Sequence, residues 1–280
     1  MRRCGATRAM VTTFLVLTWC AGTMAAPGAD LYRMQTVVTG QGEANRMIGF
    51  ATCLEDVLIK VSGAQKLAGD RRLAAYKSGA GSYVRAFSYH DQFSGKPIRD
   101  EQGTRDRPYD LTVDFEEKKI DDLLKTLGLK PWLSQRPRLA VFAEMEQGAK
   151  DYIVTADGTR SDLQRDALLA AADRRGMDIV LPGAAALEKS GLDGKKLRTA
   201  PTSTLTPLAA ELGGENTLVG RLVWDDRALG RATNWQMQWH GRTHRWQVRG
   251  VTFDEAFRRG IGGAAQVLSG NGDPADYVRH

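Results

Sequence analysis

Three short segments near the C-terminus, residues 217–224, 234–240 and 245–249, read as strands, and the last two alternate between apolar and polar side chains. Alternation with a period of two is typical of a β-strand that buries one of its faces. Because the segments follow one another with short connections, they predict a three-strand antiparallel meander. Residues 253–268 then have the spacing of a helix. A sheet whose apolar face must be covered by a helix restricts the chain to a layered fold that mixes both elements.

The rest of the chain repeats this mixture. Strands are predicted at residues 31–39, 83–89, 109–115, 139–143 and 177–181, and helices at 43–61, 71–76, 116–127, 161–175 and 207–212, whereas 190–203 reads as irregular. Pro131 and Pro137 mark a linker. We therefore expect an α/β (α+β) fold of two small mixed α/β units, residues 26–132 and 133–270. The second unit ends in the meander and its helix, and residues 271–280 form a flexible tail.

The first 25 residues have the pattern of a secretory signal. Arg2, Arg3 and Arg8 precede an apolar run of about twelve residues, which is shorter than the roughly twenty that span a bilayer. Small residues follow, and cleavage after Ala25 places Thr23 and Ala25 at the positions that signal peptidases read. We expect a periplasmic or secreted protein with no transmembrane segment after processing.

Processing changes the charge and the thiol content. The net charge of +6 falls by three when the three leader arginines are removed, so the mature chain has only a modest positive excess. That balance does not indicate a nucleic-acid partner. Cys4 and Cys20 also lie in the leader, which leaves Cys53 alone. A single cysteine excludes an internal disulfide and is typical of a small buried side chain.

Several segments resemble a known bacterial family. They are residues 58–63, 83–89, 111–115, 127–132 and 218–222, followed by Trp235 and Trp239. In this order they resemble the family called "domain of unknown function 2066" over roughly residues 31–268. The resemblance implies an exported bacterial protein, and it implies no catalytic residue, cofactor or activity.

Tryptophans and arginines interleave in the predicted meander. Trp235 and Trp239 share one strand face, and Gln236 and Gln238 share the other. We interpret the tryptophans as core and place a partner-binding surface on the outward polar face, although aromatic–arginine mixtures also bind bases and sugars. The candidate residues of this surface are Arg221, Gln236, Gln238, His240, Arg242, His244, Arg245 and Arg249.

Motifs for catalysis and cofactor binding are weak. His240 and His244 have a metal-like spacing, but Gly241 places them at a predicted hairpin turn and no third ligand is near in sequence. Residues 260–265 loosely match a dinucleotide fingerprint, yet they lie inside a predicted helix rather than between a strand and a helix. We interpret these small residues as allowing close helix–sheet packing, and we assign no catalytic residue, metal or cofactor.

The leading hypothesis is an exported, non-catalytic binding or assembly module of the bacterial cell envelope. Its partner would be another envelope protein or a cell-wall component, and the sequence leaves the oligomeric state open. The alternative is a hydrolase or small-ligand-binding enzyme whose site is built from scattered residues. That alternative predicts a deep pocket with converging polar groups and perturbed pKa values.

Overall fold

The structure is a computed structural model that describes residues 31–95, 107–148 and 150–277. The predicted leader with its cleavage site at Ala25 lies outside the described residues, as do the last three residues of the predicted tail. The described part combines helices with a three-stranded antiparallel sheet and a six-stranded mixed sheet, which confirms the α+β class. None of its helices is both long and apolar enough to cross a membrane.

The described residues of the N-terminal half include three strands and three α-helices. They are β1 Arg33–Thr39, α1 Glu43–Ser62, α2 Ala74–Ser78, β2 Val84–Asp91, β3 Pro108–Phe115 and α3 Glu117–Thr126. The strand order is β1-β3-β2, with both pairs antiparallel. Helix α1 packs its apolar stripe, including Leu54, Val57 and Leu58, onto this sheet. It ends at Gly63, whose φ of 73° is the left-handed conformation typical of a glycine cap.

The C-terminal half contains the larger sheet. Its strands are β4 Leu139–Gln147, β5 Lys150–Ile153, β6 Ile179–Val180, β7 Asn216–Asp225, β8 Gly230–Trp239 and β9 Arg242–Val251. Its helices are α4 Asp162–Arg174, α5 Ala184–Ser190, α6 Gly194–Thr199, α7 Thr206–Glu211 and α8 Phe253–Leu268. The strand order is β5-β4-β7-β8-β9, with β6 also paired to β4, so the predicted meander forms β7, β8 and β9.

Helices cover both faces of the β4 region. Val141 and Ala143 point into the core under α4 and α8, whereas Ala140 and Phe142 point into a second core with Leu197 of α6. This two-sided burial explains why residues 139–143 read as a continuous apolar run. Across β8 and β9, the face opposite α4 and α8 is mostly polar.

Glycines set the distance between α8 and the sheet. A Cβ atom on Gly260 would lie 2.3 Å from Cε2 of Trp235, and one on Gly263 would lie 2.5 Å from Cε2 of Trp246. On the opposite side of Trp235, a Cβ atom on Gly220 would lie 2.4 Å from Cζ3. The small residues of the false dinucleotide pattern therefore make room for two buried indole rings.

One expectation about local structure was wrong, and one short strand was missed. Residues 190–203, predicted to be irregular, include α6 and a 3₁₀ turn at Thr202–Leu205. Helix α6 has only six residues, too few to show a helical period, although Asp193 caps it by accepting a hydrogen bond from the backbone N–H of Lys196. Strand β5 was not predicted. In the predicted tail, a 3₁₀ turn at Pro274–Tyr277 contacts β9, and the flexibility of that tail stays a prediction.

The two halves contact each other through buried polar groups. Asp56 of α1 binds Arg174 and Arg175 at the end of α4, and Nη1 of Arg175 lies 2.9 Å from Oδ1 of Asp56. The backbone N–H of Lys66 donates to Oε1 of Gln266 in α8 at 2.8 Å. These bonds hold α1 against α4, and the 3₁₀ turn at Gln65–Leu67 against α8. Whether the halves fold independently at the predicted boundary stays a prediction.

The thiol of Cys53 lies fully buried in the N-terminal core. Burial, and to a lesser extent the charge of Asp56, raises the pKa of this thiol to about 12. Because the thiolate is the reactive form, native protein is expected to resist a thiol reagent such as dithionitrobenzoate at pH 8 and to react fully in urea. The measurement requires Cys4→Ser and Cys20→Ser so that only Cys53 reports. Rapid reaction of the native protein would contradict the burial.

Candidate functional site

The pairing of four strands places polar side chains in rows across the open face of the large sheet. Glu144 of β4 pairs with Arg221 of β7, which pairs with Asn234 of β8, which pairs with Gln247 of β9. Directly paired residues share a face, so all four side chains point the same way. The adjacent row on this face runs from Phe142 through Val219 and Gln236 to Arg245.

A cavity of about 620 Å³ lies above these rows. We call it the Glu144 pocket. Helix α6 forms one wall with Leu197 and Arg198, and Val219 contributes apolar surface to the floor. Its volume falls in the range of sites that hold small ligands. The side chains of the sheet that line it are Glu144, Val219, Arg221, Asn234, Gln236, Arg245 and Gln247.

Glu144 is the least satisfied group in the pocket. The residue is fully buried, and neither carboxylate oxygen accepts a hydrogen bond from any described residue. Nη1 of Arg198 lies 3.3 Å from Oε1 and Nε of Arg221 lies 3.7 Å from Oε2, so both cations are near but neither is aligned to donate. Burial raises the pKa of Glu144, and the two arginines oppose this only in part.

The two arginines direct their hydrogen bonds to other acids. Arg198 donates to Glu146 at 3.0 Å and to Asp151 at 2.9 Å, and Nη2 of Arg221 donates to Glu146 at 2.6 Å. The hydrogen bond from Arg221 is the main reason that the pKa of Glu146 is lowered. Glu144 therefore lies near two guanidinium groups whose hydrogen bonds, among the described residues, go to other acids.

The other end of the pocket is cationic. Nε of Arg245 lies 3.4 Å from Oε1 of Gln236, and no carboxylate pairs with Arg245 among the residues that the structure describes. Gln247 donates to Asn234 at 3.0 Å, which uses the oxygen of that amide and leaves its NH₂ group available to a ligand. The β8–β9 side thus presents hydrogen-bond donors, whereas the β4 side presents unsatisfied acceptors.

The structure divides the predicted partner-binding surface. Arg221, Gln236 and Arg245 line the Glu144 pocket, whereas Gln238 and His240 line a separate cavity of about 330 Å³ beside α7.

The remaining three candidates, Arg242, His244 and Arg249, line neither cavity. His244 shares the strand face of the buried Trp246, and its Nδ1 lies 2.9 Å from Oδ2 of Asp273, so its side chain does not join the polar rows above. Arg242 lies at the hairpin end opposite Trp239. Arg249 is exposed and donates to Gln247 at 3.0 Å.

The tryptophans lie where strand periodicity placed them. Trp235 and Trp246 are buried under α8, and Trp239 packs partly buried against the same core. Trp224 is 38% exposed, with the guanidinium of Arg231 over its ring at 5.5 Å. The tryptophan side chains therefore support the sheet beneath the pocket.

Sequence reasoning missed Glu144 and Arg198. Glu144 follows directly on the apolar run that predicted β4, and it would have been noticed as an acid that interrupts a two-sided buried strand. Arg198 lies in α6, within the segment that read as irregular. No local pattern joins the two, because they are brought together by packing of α6 on the sheet.

Two histidines were weighed as metal ligands and rejected from sequence. His240 and Gly241 have φ angles of 48° and 75° and form a two-residue hairpin turn. Within residues 31–95, 107–148 and 150–277, no group of three or more His, Cys, Asp or Glu side chains has the arrangement of a metal site.

Fold and site together define an α+β protein with a polar pocket on the open face of a mixed sheet. Residues 25–133 match the family model described as "Domain of unknown function (DUF8605)". No curated protein shows significant similarity to the chain. The matched segment covers the N-terminal half and ends before β4, so the Glu144 pocket lies outside it.

The resemblance to the family called "domain of unknown function 2066" was wrong, because the matching family is a different one. The segments that suggested it are structural. Residues 58–63 are the end of α1 and its glycine cap, and residues 83–89 and 111–115 lie largely in paired strands. Apolar alternation and helix caps of this kind recur in unrelated α+β proteins, so their order does not distinguish one family from another.

Proposed function

We propose that this chain is an exported, non-catalytic binding module of the bacterial cell envelope and that its ligand occupies the Glu144 pocket. One observation carries the proposal: a fully buried carboxylate faces a cavity of about 620 Å³ and accepts no hydrogen bond from the described residues. A buried polar group without a partner costs roughly 1–3 kcal/mol, and more when it is charged. A ligand that supplies the missing donor would offset this cost, which favours a binding role for Glu144.

Export is supported by the leader alone, with its arginines, short apolar run and small residues before Ala26. Fractionation of a bacterium that expresses the full chain, followed by N-terminal sequencing, tests it. We expect the periplasmic form to begin at Ala26. Recovery of protein with an intact Met1 from the cytosol would overturn the compartment and with it the envelope role.

A hydrolase is the second candidate, and the raised pKa of Glu144 in a pocket favours it. General acid–base catalysis by Glu144 would need a nucleophile. The described residues that line the pocket include no Ser, Thr, Cys or His, so Glu144 would have to act on water. Ligand binding requires no nucleophile in the pocket, and we therefore rank a binding function first.

One experiment on the processed protein distinguishes a binding module from a hydrolase. A muramidase digest of purified bacterial cell wall is incubated with the protein, and small compounds in the retained and free fractions are identified by mass spectrometry. We expect wild type to retain specific compounds unchanged, and Glu144→Gln to retain them at least about ten-fold less, because a charge-assisted hydrogen bond is lost. Consumption of a compound by wild type, abolished in Glu144→Gln, would instead establish the hydrolase.

Gln238→Ala is the matched control, because Gln238 lies on the same sheet face but lines the separate cavity. It is expected to retain the same compounds as wild type. Glu144→Gln should unfold at the same temperature as wild type or higher, since it removes a buried charge that lacks a donor. Equal retention by wild type and Glu144→Gln would refute the pocket as the binding site.

A further inference from the structure

The Glu144 pocket has opposite charge at its two ends, which restricts what can fill it. At the β4 end, the carboxylates of Glu144, Glu146 and Asp151 meet the guanidinium groups of Arg198 and Arg221. Three acids against two bases leave one negative charge when all are ionised. Because Glu146 and Asp151 already accept hydrogen bonds from the arginines, that charge is concentrated on Glu144. This end favours a cationic hydrogen-bond donor.

The β9 end favours an anion. Arg245 has no carboxylate partner among the described residues, and it lies beside the amide groups of Gln236 and Asn234, which can donate further hydrogen bonds. A guanidinium with neighbouring amide donors is well suited to a carboxylate.

Sheet geometry sets the distance between the two ends. Arg245 lies three strands across from β4 and two residues along from the row of Glu144. With strands about 4.8 Å apart and about 3.4 Å per residue, the two Cα atoms are roughly 16 Å apart. Leaning of the long Arg245 side chain toward Glu144 would shorten the gap that a ligand must span to on the order of 10 Å. An extended chain of about three amino acids covers that length.

The middle of the pocket is apolar, with Leu197 from α6 and Val219 from β7. It can accept small apolar side chains between two charged ends. A polyamine lacks the anionic end, and a monosaccharide is too short to reach both.

We propose, on the basis of the function proposed above, that the pocket binds a short peptide of about three residues with a free amino group and a free carboxylate. The ammonium group donates to Glu144, and the terminal carboxylate accepts from Arg245. Small apolar side chains of the peptide contact Leu197 and Val219.

Peptide binding is expected to weaken as pH falls. Glu144 attracts an ammonium only when ionised, and the groups that face it are Arg198 from α6, Arg221 from β7, Glu146 from its own strand and Asp151 from β5. Burial raises the pKa of Glu144, whereas the hydrogen bond from Arg221 lowers that of Glu146, so Glu144 takes up a proton before Glu146 as pH falls. Peptide termini keep their charges between about pH 5 and 7. A loss of affinity as pH falls, while both termini of the peptide stay charged, therefore reports protonation of Glu144.

Isothermal titration calorimetry with three probes tests the proposal. The probes are trialanine, N-acetyl-trialanine and trialanine amide, each titrated into wild type, Glu144→Gln and Arg245→Gln. Acetylation is expected to weaken binding to wild type at least about ten-fold but to change binding to Glu144→Gln less than about three-fold. Amidation is expected to weaken binding to wild type by a similar factor and to have little effect on Arg245→Gln. Gln238→Ala should behave as wild type.

The outcomes distinguish this inference from the proposed function. If acetylation weakens peptide binding to wild type and to Glu144→Gln equally, or does not weaken binding to wild type, the assignment of the peptide's amino group to Glu144 is wrong. If trialanine does not bind while cell-wall compounds are retained in a Glu144-dependent way, the peptide class fails and the binding function stands; aminosugars would then be the class to test. If neither trialanine nor any cell-wall compound depends on Glu144, both proposals fail.

Discussion

Replacement of Asp56 by alanine is expected to lower the free energy of unfolding by about 3–5 kcal/mol, because it leaves a buried guanidinium without its counter-charge. Arg175 is 4% exposed, and its Nη1 and Nε atoms donate to Asp56 and Gln65, both at 2.9 Å. Asp56 also binds Arg174. Urea denaturation of wild type and variant at pH 7 measures the difference.

Asp114→Ala is the matched control, because its partner Arg33 has a side chain that is 52% exposed. Exposed pairs contribute about 0–1 kcal/mol, so this variant should unfold close to wild type. If Asp56→Ala were no more destabilised than Asp114→Ala, the contact between α1 and α4 would not stabilise the fold.

The same ion pairs give stability a dependence on pH. Burial by itself would raise the pKa of Asp56, but hydrogen bonds and charges from Arg174 and Arg175 lower it overall. A carboxyl whose pKa is lowered in the folded state contributes stability that is present above its unfolded pKa of about 3.9 and is lost as pH falls through the folded pKa. The stability difference between wild type and Asp56→Ala should therefore shrink below about pH 4. A difference that stays constant down to pH 2 would contradict the assignment.

Elements with regular periodicity could be predicted from the sequence. Strands β8 and β9 alternate between apolar and polar side chains, α8 has helical spacing, and Gly63 ends α1, so each signal lies within one short window. Short elements could not be predicted in this way. Strand β5 has four residues and α6 has six, which is too short for either period to be distinguished from an irregular segment.

Only the residues of the pocket that lie on the meander could be predicted, and the reason differs from that for the short elements. Gln236 and Arg245 lie on consecutive strands of one meander, so alternation alone assigns them to one face. Glu144 reaches the same face through parallel pairing of β4 with β7, which joins residues more than seventy positions apart. Arg198 arrives through packing of a helix rather than through any strand. Long-range pairing of this kind leaves no periodic trace in a single sequence, and the acid that defines the site was missed for that reason.

The position of the pocket also depends on what lies beneath it. The floor of the polar face is β7, β8 and β9, and their opposite side rests on Trp235 and Trp246 under α8. The ring of Trp235 lies between Gly220 of β7 and Gly260 of α8, so it fixes the separation of helix and sheet. A change in that packing would move the strands that carry Arg221 and Arg245.

Trp235→Ala is accordingly expected to lower the free energy of unfolding by about 3–5 kcal/mol. Trp235 is only 1% exposed, so removal of its indole ring leaves a large cavity in the core. Gly260→Ala tests the same contact from the helix side. Its methyl group would lie 2.3 Å from Cε2 of Trp235, and overpacking of this kind costs about 1–3 kcal/mol. That cost should outweigh the gain of about 1 kcal/mol that alanine brings to a helix interior.

The effects of substitutions at Trp235 and Gly260 on the free energy of unfolding should be coupled. In a Trp235→Leu background the indole ring is absent, so Gly260→Ala should cost much less there or become stabilising through its helix propensity. Gly79→Ala is the control, because its methyl group would meet only a backbone oxygen at 3.9 Å and should change stability little. Urea denaturation of wild type, Trp235→Leu, Gly260→Ala and the double variant measures the coupling. Equal effects of Gly260→Ala in both backgrounds would mean that the indole ring does not set the distance between α8 and the sheet, and the pocket floor would then owe its position to other contacts.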